Sequence, residues 1–127
     1  HLMATATTVA ITMGAQWVYA GMHAEDAHNW AYPDCTFEFT GAMANAIRVG
    51  SYDKVRLKAP LQWLTKAEVC ALGTRLDAPL HLTWSCYNPI STSGGRYMHC
   101  GACPTCIERK QAFFVAGVSD LTVYARA

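Results

Sequence analysis

Between two glycines the chain reads Ala15-Gln16-Trp17-Val18-Tyr19-Ala20, and Gly21 closes the run. A short apolar stretch with aromatic and β-branched side chains, bounded by glycine, predicts a buried strand. The segment before it, Leu2 to Met13, places apolar residues at Leu2, Ala6, Val9, Ala10 and Met13, a helical stripe with weakly helical threonines between, and Gly14 stops it. That helix begins without a capping side chain, so the sequence reads as opening inside an element. After the strand, Gly21 to Pro33 is a polar and aromatic loop holding His23, Glu25, Asp26, His28 and Asn29, with Asp34 following Pro33 as a helix-cap candidate. Phe37, Met43, Ala46 and Ile47 predict a helix from Thr36 to Val49 ended by Gly50, and Val55 to Ala59 alternates as a half-buried strand before Pro60. Helices between short apolar strands predict an α/β layer with parallel pairing.

Further along, Thr65-Lys66-Ala67-Glu68 has the pattern of a capping box, in which Thr65 and Glu68 satisfy each other's backbone N–H groups. The helix it opens is expected to run to Leu72, with Gly73 at its C-terminal end. Asp77 then lies in a surface turn beside Pro79. The last helix is expected from Cys106 to Val115, stopped at Gly117.

The strongest chemical signal is Cys86 followed by Cys100-Gly101-Ala102-Cys103-Pro104-Thr105-Cys106. Cysteines three apart bring their sulfurs within reach of one ion, and a fourth thiolate completes a tetrahedron around zinc. Gly101 and Pro104 suit the tight turns of such a knuckle. His99 adjoins the cluster and could replace one sulfur. An iron–sulfur cluster is the rival, since the same spacing opens the bacterial ferredoxin run. That run needs a further cysteine soon after, and Ile107 to Ala127 contains none. Disulfides or unmetallated thiols are the remaining readings, and nothing in the sequence points to export. Cys35 and Cys70 lie apart from the cluster and are expected to be dispensable for the metal.

Composition narrows the classes further. The 127 residues carry 52% hydrophobic and 15% charged residues, a globular composition with enough apolar material for a core. A net charge of +1 offers no electrostatic case for nucleic acid. The apolar stretches are too short for a membrane span, and no signal-peptide pattern opens the chain. A cytoplasmic location is therefore expected. The loop after the first strand is the second candidate site, because ligands gather beyond the carboxyl ends of parallel strands. Glu25 and Asp26 could hold ring nitrogens or magnesium there, with His23 and His28 as hydrogen-bond donors. A solvated acidic turn is the competing reading of the same residues.

Taken in order, Ala24-Glu25-Asp26, Tyr32-Pro33-Asp34-Cys35, Glu38-Phe39, Pro60-Leu61, Lys66-Ala67-Glu68, Thr83-Trp84-Ser85-Cys86-Tyr87 and the cysteine knuckle closely resemble the 7-cyano-7-deazaguanine synthase (QueC) family. Arg109, Ala112-Phe113, Gly117-Val118 and Asp120 to Tyr124 continue the likeness, which covers nearly the whole chain. The resemblance implies a PP-loop ATP pyrophosphatase-like (adenine nucleotide alpha hydrolase-like) α/β fold with an incomplete parallel sheet and a C-terminal zinc knuckle. On that basis residues 1–85 would be the C-terminal part of the α/β domain, and 86–127 the knuckle and terminal helix. It further implies an ATP-dependent ligase that converts 7-carboxy-7-deazaguanine and ammonia to the nitrile, in queuosine and deazapurine biosynthesis. Structural zinc would sit on Cys86, Cys100, Cys103 and Cys106. ATP and magnesium would be used by the full-length enzyme, with a homodimer left open as its assembly. Glu25, Asp26 and Asp34 would meet the guanine-like edge of the substrate, with Tyr32 or Trp84 available to stack on its ring.

Three departures qualify the likeness. The family's Ser-Gly-Gly-x-Asp-Ser phosphate loop is absent, and Ser93-Gly94-Gly95 does not replace it, because Arg96 and Tyr97 follow. Those residues read instead as an insertion that lengthens the gap from Cys86 to Cys100. Thr36 stands where the family has arginine, which bears on specificity. The expectation is a C-terminal half that is inactive alone. The alternative is a non-catalytic zinc-knuckle module, or a relative acting in protein modification or phage defence.

Overall fold

The structure, a computed structural model, describes residues 1–28 and 31–125. It divides into two compact units, His1–Thr65 and Lys66–Ala127.

In the first unit, α1 (Leu2–Met13) leads into β1 (Trp17–Tyr19), and the short α2 (Ala24–Ala27) follows. A 3-10 turn (Pro33–Cys35), α3 (Phe37–Gly50) and β2 (Arg56–Lys58) complete it. β1 and β2 pair in parallel, with Trp17 opposite Arg56, Val18 opposite Leu57 and Tyr19 opposite Lys58. Ala10, Ile47 and Val55 form the core, with Met3, Val18, Met43 and Leu57 packed around them.

The inner face of α1 differs from the expected stripe. Leu2 and Met13 are 88% and 78% exposed, and Val9 is half exposed. Ala6 and Ala10 of the expected stripe do turn inward, but they are joined by Met3 and Thr7, a spacing of three, four and seven residues that also marks one helical face. Thr7 fits there because its hydroxyl donates to the Met3 carbonyl at 2.7 Å, so no polar group is left unsatisfied.

The cap of α3 also differs. Asp34 sits exposed in the 3-10 turn, and buried Thr36 caps the helix by accepting from the Phe39 N–H at 3.2 Å. Its hydroxyl donates to the Pro33 carbonyl at 2.9 Å. Gln62 secures the same corner, donating to the Cys35 carbonyl at 2.7 Å while its Oε1 accepts from Thr40 at 2.8 Å.

The second unit is built on α4 (Lys66–Arg75) packed against α5 (Pro104–Ala116). Cys70, Ala112 and Phe113 are the buried centre, and Leu80, Ala116 and Val118 pack against them. Gly73 lies inside α4 rather than at its end. A Cβ there would stand 2.9 Å from Leu80 Cδ2, so the missing side chain makes room for the returning Leu80–Leu82 turn. α5 starts two residues before the expected Cys106, because Pro104 at its first turn needs no N–H partner and has its φ preset for helix. The Ser93-Gly94-Gly95 stretch is the turn of an antiparallel hairpin, β3 (Ile90–Ser91) with β4 (Tyr97–Met98). Gly95 adopts φ 71°, and Thr92 closes the turn by donating its N–H to the Arg96 carbonyl at 2.8 Å.

Candidate metal centre and acidic loop

The hairpin returns the chain so that Cys100 meets Cys86, and Cys103 opens α5 as its N-cap. The four Sγ atoms of Cys86, Cys100, Cys103 and Cys106 all lie within 4.8 Å of one another. Cys100 and Cys106 Sγ are 3.9 Å apart, as are Cys103 and Cys86 Sγ. A tetrahedron with metal–sulfur bonds near 2.3 Å has edges of about 3.8 Å, so the spacing fits one four-coordinate ion. Backbone N–H groups point at the sulfurs: Asn88 and Cys100 at Cys86 (3.3 and 3.2 Å), Ala102 and Cys103 at Cys100 (3.4 and 3.2 Å). Such donors favour the thiolate form that a metal requires.

The thiols of Cys100, Cys103 and Cys106 differ before any metal binds. A hydrogen bond with the Thr105 hydroxyl, at 3.3 Å, is the main influence drawing Cys103 down to about 5. Hydrogen bonds from the Ala102 and Cys103 amides lower Cys100. Burial pushes fully enclosed Cys106 up to about 12. A divalent cation would override that last penalty by supplying the missing positive charge.

His99 is not part of the sulfur set. Its buried ring lies 4.1 Å from the Trp84 ring and 5.6 Å from Tyr124, and burial followed by the Arg109 charge lowers its pKa. Trp84 donates its indole N–H to the Cys86 carbonyl at 2.8 Å and is half exposed.

Behind the knuckle is a polar hub that the sequence reading carried only as part of the family likeness. Buried Arg109 donates to Thr122 Oγ1 (3.1 Å), Thr83 Oγ1 (2.8 Å), Ser85 Oγ (3.3 Å) and the Leu80 carbonyl (3.0 Å). Its Nε lies 3.3 Å from the Asp120 carboxylate, which also accepts from the Tyr124 hydroxyl and the Thr122 N–H. Burial alone would raise Asp120, but these hydrogen bonds and the Arg109 charge outweigh it and hold the carboxyl below its ordinary value. An arginine one turn from Ala112 and Phe113 on a core helix was the available signal, because such a charge needs a partner.

The acidic loop follows the carboxyl end of β1 in the first unit. His23 Nε2 lies 3.2 Å from Asp26 Oδ2, and its Nδ1 lies 3.2 Å from Glu25 Oε2, an ion-pair distance without hydrogen-bond geometry. The Tyr32 N–H donates to the Asp26 carbonyl at 3.0 Å, folding the loop back on itself. Burial, then the Asp26 and Asp34 carboxylates, raise the Cys35 thiol above its ordinary value. Tyr32 and Asp34 are exposed, and His28 ends α2. Asn29 lies outside the described residues. Trp84 belongs to the second unit.

A family model described as "Queuosine biosynthesis protein QueC" matches residues 1–117. The chain belongs to the QueC family. Among curated relatives, the 7-cyano-7-deazaguanine synthase of Marinobacter nauticus is 38% identical over 125 residues, covering 98% of this QueC-family chain and 53% of the relative. The synthase of Paracoccus denitrificans is 40% identical over 129 residues, covering 99% and 52%. That of Methanopyrus kandleri is 43% identical over 104 residues, covering 82% and 44%. This QueC-family chain thus spans about half the length of the curated relatives it matches. Among its described residues, no helix is long and apolar enough to cross a membrane.

Proposed function

We propose that this chain is the substrate-binding and zinc-knuckle portion of a 7-cyano-7-deazaguanine synthase. In this reading the whole enzyme uses ATP to activate the carboxylate of 7-carboxy-7-deazaguanine and ammonia to carry it to the nitrile. The β1–β2 pair would belong to a PP-loop-type parallel sheet. ATP and magnesium would be held by a phosphate loop, a motif the 127 residues lack. The observation that carries the reading is family membership joined to an acidic loop placed where parallel sheets hold ligands.

Glu25, Asp26 and Asp34 would accept hydrogen bonds from the amino and ring N–H groups of the deazaguanine edge. Tyr32 would offer its exposed ring as a stacking surface. The metal would be zinc, held by Cys86, Cys100, Cys103 and Cys106, and it would cross-link the knuckle. Four protein sulfurs close its coordination shell, which leaves no position for a reactant. The tetrahedral spacing of those sulfurs supports that role.

The test is a steady-state assay of the synthase in which this chain is joined to a phosphate-loop half, with Asp26→Asn compared against Asp77→Asn. Asp77 lies in an exposed turn after α4 and serves as the control. Asp26→Asn should lower kcat/KM at least ten-fold, about the effect of one charge-assisted hydrogen bond. Asp77→Asn should leave it unchanged. Equal activities would reduce the acidic loop to a solvated turn. The isolated chain should show no ATP turnover, and turnover by it would refute the placement of the phosphate site.

A further inference from the structure

Two polar residues of the first unit go inside while the aromatic residue after each stays out. Thr36 and Gln62 are buried, whereas Phe37 is 52% and Trp63 73% exposed. A chain folding only to remove apolar surface from water would do the reverse. The two exposed rings meet, with centroids 5.4 Å apart and planes tilted by 33°. Hydrogen bonds impose the inversion: Thr36 caps α3, and Gln62 joins the Cys35 carbonyl to the Thr40 hydroxyl. Two turns fix the loop on either side of Trp63. In them the Gln62 N–H donates to the Ala59 carbonyl at 3.2 Å, and the Leu64 N–H to the Leu61 carbonyl at 2.9 Å.

The pair stands where both parallel strands release the chain. Trp63 lies in the loop after β2, as the acidic loop lies after β1. The Ala24 N–H donates to the Leu64 carbonyl at 2.9 Å, which ties the residue after Trp63 to the start of the helix bearing Glu25 and Asp26. Gln62, the residue before it, is tied to the turn bearing Asp34, and Phe37 follows that turn by two residues. Trp63 is thus bracketed by the two acidic segments. Neither ring is among the residues packed on Ala10, Ile47 and Val55.

We propose that Trp63, braced by Phe37, stacks on the planar ring of the deazapurine whose N–H edge the acidic loop receives. The inference rests on the deazaguanine reading and adds the residue that selects for a flat ring. Carboxylates recognise donors on the ring edge and are indifferent to planarity, whereas an indole face rewards a flat, polarisable partner. Aromatic walls combined with a few polar groups are the usual make-up of a small-molecule site.

The experiment is a steady-state assay of the joined synthase carrying Trp63→Ala, Trp63→Leu, Trp63→Phe or Asp26→Asn, with KM and kcat measured separately. Trp63→Ala should raise KM for 7-carboxy-7-deazaguanine at least about five-fold, the loss of one ring–ring stack. Its kcat and its KM for ATP should stay within about two-fold of the parent, because stacking is equal in ground and transition states. Trp63→Phe should recover most of the loss, while Trp63→Leu, apolar but not flat, should behave as Trp63→Ala does. The inhibition constant of 7-deazaguanine, which lacks the carboxylate, should rise by the same factor as KM. A parent that forms no nitrile refutes the synthase reading and the proposal with it. An active parent impaired by Asp26→Asn but indifferent to Trp63→Ala refutes the aromatic face alone. The aromatic face is equally refuted if Trp63→Leu matches Trp63→Phe, or if the constants for the acid and ATP rise together with a fall in kcat, the mark of a structural role. A change in sedimentation of Trp63→Ala would refute it too, by making the pair an interface between copies.

Discussion

Replacing Arg109 by Met tests whether the polar hub behind the knuckle holds the second unit together. The guanidinium and its partner are 6% and 12% exposed, so the pair is little screened by water. The substitution keeps an apolar stem against Phe113, whose ring the guanidinium now faces at 4.8 Å. It removes the donors to Thr122, Thr83, Ser85 and the Leu80 carbonyl, and it strands the Asp120 carboxylate. Breaking a buried pair from one side costs about 3–5 kcal/mol. Asp120 keeps the Tyr124 hydroxyl and the Thr122 N–H, which argues for the lower end, about 3 kcal/mol. The assay is urea unfolding of the metal-loaded chain, run as a double-mutant cycle with Asp120→Asn. The double variant should be more stable than the sum of the two losses by at least about 1 kcal/mol, because the second change removes the stranded charge. The sign with pH follows from the lowered Asp120 carboxyl. Its contribution is complete above the ordinary value of 3.8 and is lost as the pH falls through the lower folded value. The gap between parent and Arg109→Met should therefore be full at neutral pH and shrink in acid. A loss under about 1 kcal/mol, or strict additivity, would show that the hub is no stronger than an exposed ion pair.

Further outcomes are expected. Cys103→Ser should abolish binding of the single metal ion and unfold the C-terminal third, read by elemental analysis and circular dichroism, whereas Cys35→Ser and Cys70→Ser should retain one ion per chain. Thr36→Val should cost about 1 kcal/mol in thermal or urea unfolding by removing the α3 cap, while Asp34→Ala should stay within about 0.5 kcal/mol. Gly73→Ala should be nearly neutral, because a helix gain of about 1 kcal/mol offsets the contact with the mobile end of Leu80. Gly73→Val should destabilise by about 1–3 kcal/mol, since its branches cannot avoid that side chain.

What could be read from the chain depended on how local the signal was. The four cysteines carried theirs in spacing alone, and the structure draws their sulfurs together. The extent of α1 and the parallel pairing were legible because Gly14 and Gly21 punctuate a simple apolar pattern. But β1 is not the buried strand expected, since Trp17 and Tyr19 are 44% and 63% exposed and only Val18 turns to the core. The inward face of α1 was not legible, because Thr7 hides its hydroxyl in a bond to its own helix and so behaves as an apolar residue. Gly73 looked like a stop because its purpose lies seven residues away at Leu80, a contact no window of helix propensity contains. Thr36 reads as the start of the helix and as a departure from the family but not as its cap, although its place before Phe37 makes it a better cap than Asp34. The hub of Arg109 and Asp120 depends on chain return, which spacing does not encode.

The sulfur cluster also sets how much charge the protein carries in an electric field. With its thiols neutral, the chain has a formal charge of +1 and a sequence isoelectric point near 7.8. Four thiolates around one divalent cation contribute two net negative charges, which takes the total from +1 to about −1. Because the Cys103 thiol is drawn down to about 5, the metal-free chain already carries one thiolate near neutral pH and sits near zero, so the metal-loaded molecule should be about one charge more negative and be held longer on an anion-exchange column. The amides of Asn88, Cys100, Ala102 and Cys103 aimed at the sulfurs let that added charge be held without a neighbouring lysine for every thiolate.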